Sequence, residues 1–345
     1  MVGRFDNIHP GLSCDQARNI LGLSVDLLES QSDLYMAAAH LINCPCIETE
    51  KALVGLLEND SLEQAVLIAK RKAVDTLARL ECLEAVPAIG QCLFSRDTYL
   101  VENAAWALSQ LGCPSQKLQD QMIALLDDPS QNHRILIQSL AGLNAVQALG
   151  SISRFQQDPS PGVKGAAISA AVTLSGNASN LDVLAEHLFL PNQMDRQCAV
   201  QDIIDAKADS LLPQVLKAPI SPVFRMRALR LLFPANQSEK LSRQVLDWVD
   251  LVIQDDPLQL ELVHQYDQDP AVDFLVAELF NPDFSRCYLA LCTLLPQPAE
   301  CLFPVLQEAW EREAHNDYGA HYFFIRLFGL KSSWAPTARD WIIPL

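Results

Sequence analysis

The sequence predicts an all-α fold, a HEAT-like α/α-solenoid of stacked helix pairs, and three observations carry that prediction. Similar segments return along the chain: "IAKRKAVDTLARL" from Ile68, "RDTYLVENAAWALSQL" from Arg96, "DDPSQNHRILIQSLAGL" from Asp127 and "DPSPGVKGAAISAAVTL" from Asp158. Within each, apolar residues fall three or four apart, as Val101, Ala104, Ala105, Leu108 and Leu111 do, which marks one buried stripe of a helix. No stretch alternates with period two over a useful length, so almost no strand is expected. A fixed period is the signature of a repeat array, in which one helix pair buries too little by itself and stacking makes the core continuous.

Taken in order, residues 1–47 form an N-terminal cap and 48–207 the regular repeats. Each repeat pairs a first helix, such as "ETEKALVGLLEND" or "ECLEAVPAIGQCLF", with one of the second helices quoted above. Asp, Pro and Ser fill the turns, where Asp or Ser caps a helix start and Pro is tolerated at its first position. Pro213, Pro219, Pro222 and Pro234 then interrupt the pattern, so 208–268 is read as irregular repeats, with 236–268 still helical. Pairs resume over 269–345, which ends on the apolar tail "WIIPL". No low-complexity linker divides the chain, and one solenoid over 1–345, bent near 205–235, is the economical reading.

Superposing the second helices puts Arg71, Glu102, Arg134, Lys164, Arg196 and Arg225 in one column, one repeat apart each time, and Arg286 follows two repeats further on. The pattern D-P-x-x-x-V-[R/K]-x-x-A at Asp158, Pro159, Val163, Lys164 and Ala167 resembles the HEAT repeat, and that resemblance implies a structural ladder of Asp and Arg for Arg134, Lys164 and Arg196. Glu102 breaks the basic column, and Trp106 stands on the polar stripe beside it. In a concave surface Arg71 and Asp75, Glu102 and Trp106, and Arg134 and Gln138 line adjacent ridges. A flat aromatic among carboxylate and guanidinium groups suits a planar, conjugated, anionic ligand; the structural alternative is a tryptophan packed between turns of the solenoid. A second cluster opens the last strong helix, "HNDYGAHYFFIRLFG". His315, Asp317, Tyr318 and His321 crowd its start, and Tyr318, His321 and Tyr322 share a side. Asp, Tyr and His are groups that transfer protons, although Asp317 also fits a helix cap.

Composition narrows the partners. The formal charge is −17, which argues against nucleic acid and against anionic lipid, both of which need a basic face. No apolar run is long enough to span a membrane, and the N-terminus lacks a leader's apolar core. Neither a membrane span nor export is therefore expected, and the location is read as cytoplasmic. The ten cysteines form no disulfide-like framework and are read as reduced, mostly buried thiols. "NCPC" has no second pair at zinc spacing, no H-E-x-x-H or phosphate loop occurs, and no metal is expected. Cys287 and Cys292 read as core fillers.

The stretches "RFDNIHPGLSCDQA", "LYMAAAHL", "AKRKAVDTLARL" and "YLVENAAWAL" together resemble the E/F-type phycobilin lyases, in the branch of the phycoerythrin-specific lyases and lyase-isomerases. The likeness is best from Met1 to Gly112 and extends to "NDYGAHYFF". It implies a linear tetrapyrrole bilin, phycoerythrobilin, as substrate rather than cofactor. It also implies its attachment by a thioether to a cysteine of a phycoerythrin subunit, the α subunit being favoured, and in some members isomerisation to phycourobilin. The nucleophile is then the acceptor's thiol. In such an enzyme Arg71, Lys72 and Arg134 would meet the two propionates and Trp106 the conjugated system, with His321 beside it, while Glu102, Asp317 or Tyr318 would move protons. The other reading is a HEAT scaffold without catalysis, or a bilin chaperone, serving phycobilisome assembly or degradation.

Overall fold

The computed structural model describes residues 11–233, 243–314 and 317–331, and the side chain of residue 299 is not among those described. The regular elements among those residues are all helices, and no strand occurs among them. The chain divides into two compact units, Met1–Asn177 and Ala178–Leu345. The division falls within the stretch read from the sequence as regular repeats.

In the first unit the helices Asp33–His40, Gln64–Arg79, Thr98–Gln110, His133–Gly142 and Pro161–Ser175 pack each on the next, with the shorter helices between them covering one side. The stripe expected on Thr98–Gln110 is the one buried: Val101, Ala104, Ala105 and Leu108 are sealed in the core with Ala69, Ala73 and Leu77 of the preceding second helix. Alanine dominates these faces and lets the helices approach closely. At Gly142 the approach is close enough that a Cβ would meet Ser109 Oγ, and that hydroxyl would have to swing away.

The repeat is also written in the backbone. Glu81, Gly112, Asn144, Gly176 and Lys207, one repeat apart each time, all take the left-handed conformation just past the end of a second helix. At four of the five the same pair of hydrogen bonds closes the end. Glu81 N donates to Ala78 O and Cys82 N to Leu77 O, and the pattern returns at Gly112, Asn144 and Lys207. This Schellman closure satisfies carbonyls that the helix end leaves without partners. Side-chain caps recur at the helix starts, from Asp97, Asn132, Asn192, Ser221, Asp283 and Asp317.

The second unit runs from Leu181–His187 and Gln193–Asp205 through Pro222–Leu232 and Arg243–Gln254 to Phe284–Leu294, Ala299–Arg312 and Tyr318–Leu330. Its core is aromatic: Tyr288, Phe323 and Phe324 are buried, and Phe284 and Tyr288 meet Phe323 with ring centroids 5.0 and 5.3 Å apart. Among the described residues, the expected helical reading of 236–268 holds over Arg243–Gln254. Asp256 caps a short 3-10 turn at Pro257–Gln259, and from there the chain runs without a helix to Ala271, with Pro270 just ahead of the next helix. Residues 234–242, the segment before Gly11, His315 and the "WIIPL" tail lie outside the described residues.

One reading of the cysteines is corrected. Cys14 and Cys44 form a disulfide, because the first helix and the turn after Asp33–His40 bring their Cα atoms to 5.9 Å, within disulfide reach. The buried His40 lies with them, the three donor atoms all within 4.8 Å of one another.

Candidate functional site

The first candidate surface lies on the second helices of the first unit. Arg71 grips Asp97 through two parallel hydrogen bonds of 2.8 and 2.9 Å, and its guanidinium lies 4.7 Å from the centre of the Tyr99 ring. Asp97 is also the cap of Thr98–Gln110, accepting from Tyr99 N. Arg71 therefore forms a rung of an Asp–Arg ladder and is already neutralised, in contrast to its expected availability to a propionate. Lys72 is engaged as well: its ammonium and the guanidinium of Arg79 meet the two oxygens of Asp75, each at 2.7 Å. Burial disfavours the Asp75 carboxylate, but the hydrogen bonds from Lys72 and Arg79 outweigh it and hold its pKa below the ordinary value. Arg134 donates to the Gly162 carbonyl of the next second helix.

Trp106 and Glu102 stand differently. Trp106 is half-buried, packed by one side on the core while the Arg79 guanidinium lies 6.0 Å from its ring centre. Glu102, one turn earlier, is half-buried, and no ion pair or hydrogen bond joins its carboxylate to any described residue. The ridge thus offers an aromatic edge with a guanidinium over it and a carboxylate without a partner.

The second candidate cluster is rearranged. Asp317 Oδ1 accepts from Ala320 N at 2.9 Å and caps Tyr318–Leu330. Tyr318 is 91% exposed, and no hydrogen bond links it to Asp317 among the described residues. His321 turns inward and meets the Trp310 ring edge-on at 4.8 Å, with a buried Nε2 that has no hydrogen-bond partner. The acid–phenol pair that the fold does assemble is Asp255 with Tyr322. Tyr322 donates its hydroxyl to Asp255, Tyr288 lies 2.8 and 2.9 Å from the two Asp255 oxygens, and Arg225 pairs with the same carboxylate. Asp255, Arg225 and Tyr288 are buried. Burial and the Asp255 charge push the phenols of Tyr288 and Tyr322 well above their usual range. Asp255 itself sits in the left-handed backbone region at φ 43°, and Arg326 donates to its carbonyl at 2.9 Å. Sequence reasoning placed Arg225 in the basic column but missed Asp255; its one signal was the helix-ending "QDDP".

Beside this network opens a cleft of about 510 Å³. Met226, Arg227 and Arg230 face it from Pro222–Leu232, Val252 and Ile253 from Arg243–Gln254, and Tyr322 from the last described helix. Arg196 is fully buried: it donates to the carbonyls of Leu190 and Pro191 and pairs with the cap Asp283, 87 residues further on and not in the next repeat. Four thiols, three of them buried and Cys292 half-buried, are kept protonated. Burial raises Cys82 to about 12 and Cys92 and Cys292 to about 11, and pushes Cys287 higher still.

Repeats of this kind, with capped turns and an Asp–Arg ladder, define a helical-repeat protein of the Armadillo/HEAT class. An Armadillo/beta-catenin-like repeat profile matches residues 79–112, the stretch that contains Trp106. The structure of the complex of CpcE and CpcF of phycocyanin lyase from Nostoc sp. PCC7120 superposes with a TM-score of 0.60 at 24% identity, covering 73% of this chain and 98% of that one. In sequence the chain is 48% identical over 315 residues to the bilin biosynthesis protein CpeY of Synechococcus sp. strain WH8020, across 91% of this chain and 75% of that protein. It is 35% identical to the uncharacterized phycocyanin operon protein Y of Pseudanabaena tenuis, across 92% and 76%. It is 32% identical to the phycocyanobilin lyase subunit alpha of Thermosynechococcus vestitus, across 52% and 69%. The chain belongs to the E/F-type phycobilin lyase family. No described helix is long and apolar enough to cross a membrane.

Proposed function

We propose that the chain is a bilin lyase that joins phycoerythrobilin by a thioether to a cysteine of a phycoerythrin subunit, the α subunit first, with isomerisation to phycourobilin as a second step on the same pigment. The observation that carries the reading is the Trp106 ridge: an aromatic ring half out of the core, a guanidinium over it, and the carboxylate of Glu102 without a partner one turn away. Packing alone gives no reason to leave that carboxylate half-buried and unmatched. Beside a conjugated, planar ligand both groups acquire a use, the ring as a stacking wall and the acid as a proton carrier.

In the attachment step the acceptor's thiol adds across the ethylidene double bond of the bilin. Its sulfur bonds to one carbon and a proton is delivered to the conjugated system, so the step is redox-neutral and needs no oxidant. Isomerisation removes a proton at one carbon and returns one at another, which again balances. The chain's buried thiols Cys82, Cys92 and Cys287, held protonated by burial, suit an enzyme whose nucleophile comes from its protein substrate. Co-production of the chain with phycoerythrobilin and a phycoerythrin subunit tests this. Pigment that stays on the acceptor under denaturing conditions supports the lyase, and pigment held by the chain but never transferred supports a bilin chaperone instead.

A further inference from the structure

A linear tetrapyrrole carries two propionates, and the Trp106 ridge has little left to meet them with. Arg71 is matched by Asp97, and Lys72 and Arg79 by Asp75. In the cleft of the second unit the arrangement is reversed. Val223, Met226, Arg227 and Arg230 fall at helical spacing along one stripe of Pro222–Leu232, so two guanidiniums and two apolar side chains face the same opening. Among the described residues neither Arg227 nor Arg230 has an ion-pair or hydrogen-bond partner, and no carboxylate is among the residues that line the cleft. In a chain of net charge −17, a lining with two unmatched positive charges and no negative one is a local inversion of the protein's own field. The remaining walls are apolar and uncovered: Val223 is 72% exposed and Ile253 66%. Tyr322 closes the inner end, its ring fixed because its hydroxyl is tied to the buried Asp255. The volume, about 510 Å³, lies in the range of about 300–1,000 Å³ that holds ligands of this size.

We infer that this cleft is a second tetrapyrrole-binding site, in addition to the Trp106 ridge, in which Arg227 and Arg230 take the two propionates of a bilin, while Val223, Met226, Val252, Ile253 and the ring of Tyr322 cover its conjugated face. The inference rests on the lyase reading for the identity of the ligand. The carboxylate assignment itself follows from the cleft: two guanidiniums one helical turn apart present paired donors to two separate acids, as a single anion-binding arginine does not.

The test uses the full-length chain and two probes, phycoerythrobilin and its dimethyl ester, which keeps the conjugated system and lacks the acids. Binding is read from the bilin's absorbance and induced circular dichroism, and transfer is read on the phycoerythrin acceptor in parallel. The wild type should prefer the free acid. Arg227→Ala/Arg230→Ala should weaken the free acid by about tenfold or more, as the loss of charge-assisted hydrogen bonds does, and leave the ester unchanged. Arg227→Lys/Arg230→Lys should recover part of the loss. Both arginines are exposed, so the melting curve of the alanine pair should match the wild type's. Equal wild-type affinity for acid and ester, or an alanine pair that binds the acid as the wild type does, would overturn the inference while normal transfer left the lyase reading standing. A wild type that neither binds nor transfers the bilin would remove both.

Discussion

Tyr322 donates its hydroxyl to Asp255, 67 residues earlier in the chain, and through that carboxylate joins the last described helix to Arg225 and Tyr288. The charged pair at the centre is sealed from solvent, with Arg225 and Asp255 each 1% exposed. Removing one partner of such a pair leaves an uncompensated buried charge. Asp255→Ala should therefore cost about 3–5 kcal/mol of stability. Tyr322→Phe, which removes only one of the hydrogen bonds to the charged Asp255, should cost about 1.5–3 kcal/mol. Denaturant titration of both variants distinguishes the two, and a harmless Asp255→Ala would show the network to be dispensable.

Trp106→Ala should weaken bilin binding for the free acid and the dimethyl ester alike, since the ring meets the conjugated system and not the acids. Arg71→Glu should act differently. It opposes Asp97 with a like charge at a helix cap and should lower the melting temperature before it affects the pigment. Bilin affinity that falls with Arg71→Glu while the melting temperature holds would return Arg71 to the pigment.

Asp75 supplies a pH signature. Its folded pKa is depressed, so the stabilisation from Lys72 and Arg79 is complete above the unfolded carboxyl's value near 3.9 and is lost as pH falls through the lower folded value. The stability difference between wild type and Asp75→Asn should be flat from about pH 7 to 5 and shrink below about pH 4. A difference that grows on acidification would contradict the ion-pair assignment.

The Cys14–Cys44 bond closes a 30-residue separation at the start of the first unit. Loop-closure arithmetic puts its stabilisation at roughly 3–4 kcal/mol. Reduction should lower the denaturation midpoint of the wild type and leave Cys14→Ser/Cys44→Ser unmoved. A titration that finds ten free thiols before reduction would contradict the bond.

What the sequence made legible followed local rules. A three-four apolar spacing located the buried stripe of Thr98–Gln110, because such spacing recurs within a helix; the repeat period placed the basic column but not its partners, since Arg71 pairs with Asp97 while Arg134 turns to the Gly162 carbonyl. Trp106 stood out because an aromatic on a polar stripe violates the same rule. The pairing of Asp255 with Tyr322 obeys no local rule. It joins a helix-ending turn to a helix 67 residues away, so only the tertiary packing displays it. Asp317 and Tyr318 drew attention by adjacency, yet neighbours in a chain rarely face each other at a helix start; one caps the helix and the other points to water. The disulfide escaped for a similar reason. Two cysteines 30 residues apart carry no signal until a helix hairpin closes between them.

The most direct measurement of the central claim is transfer itself. Phycoerythrobilin and an apo phycoerythrin α subunit are incubated with and without the purified chain, and bilin fluorescence is read on the acceptor after acid–urea denaturation. The account predicts denaturation-resistant pigment at a single acceptor cysteine, formed much faster with the chain than without it and slowed by Arg227→Ala/Arg230→Ala. Pigment that washes off the acceptor, or that attaches at the same rate and to the same cysteines without the chain, would contradict it.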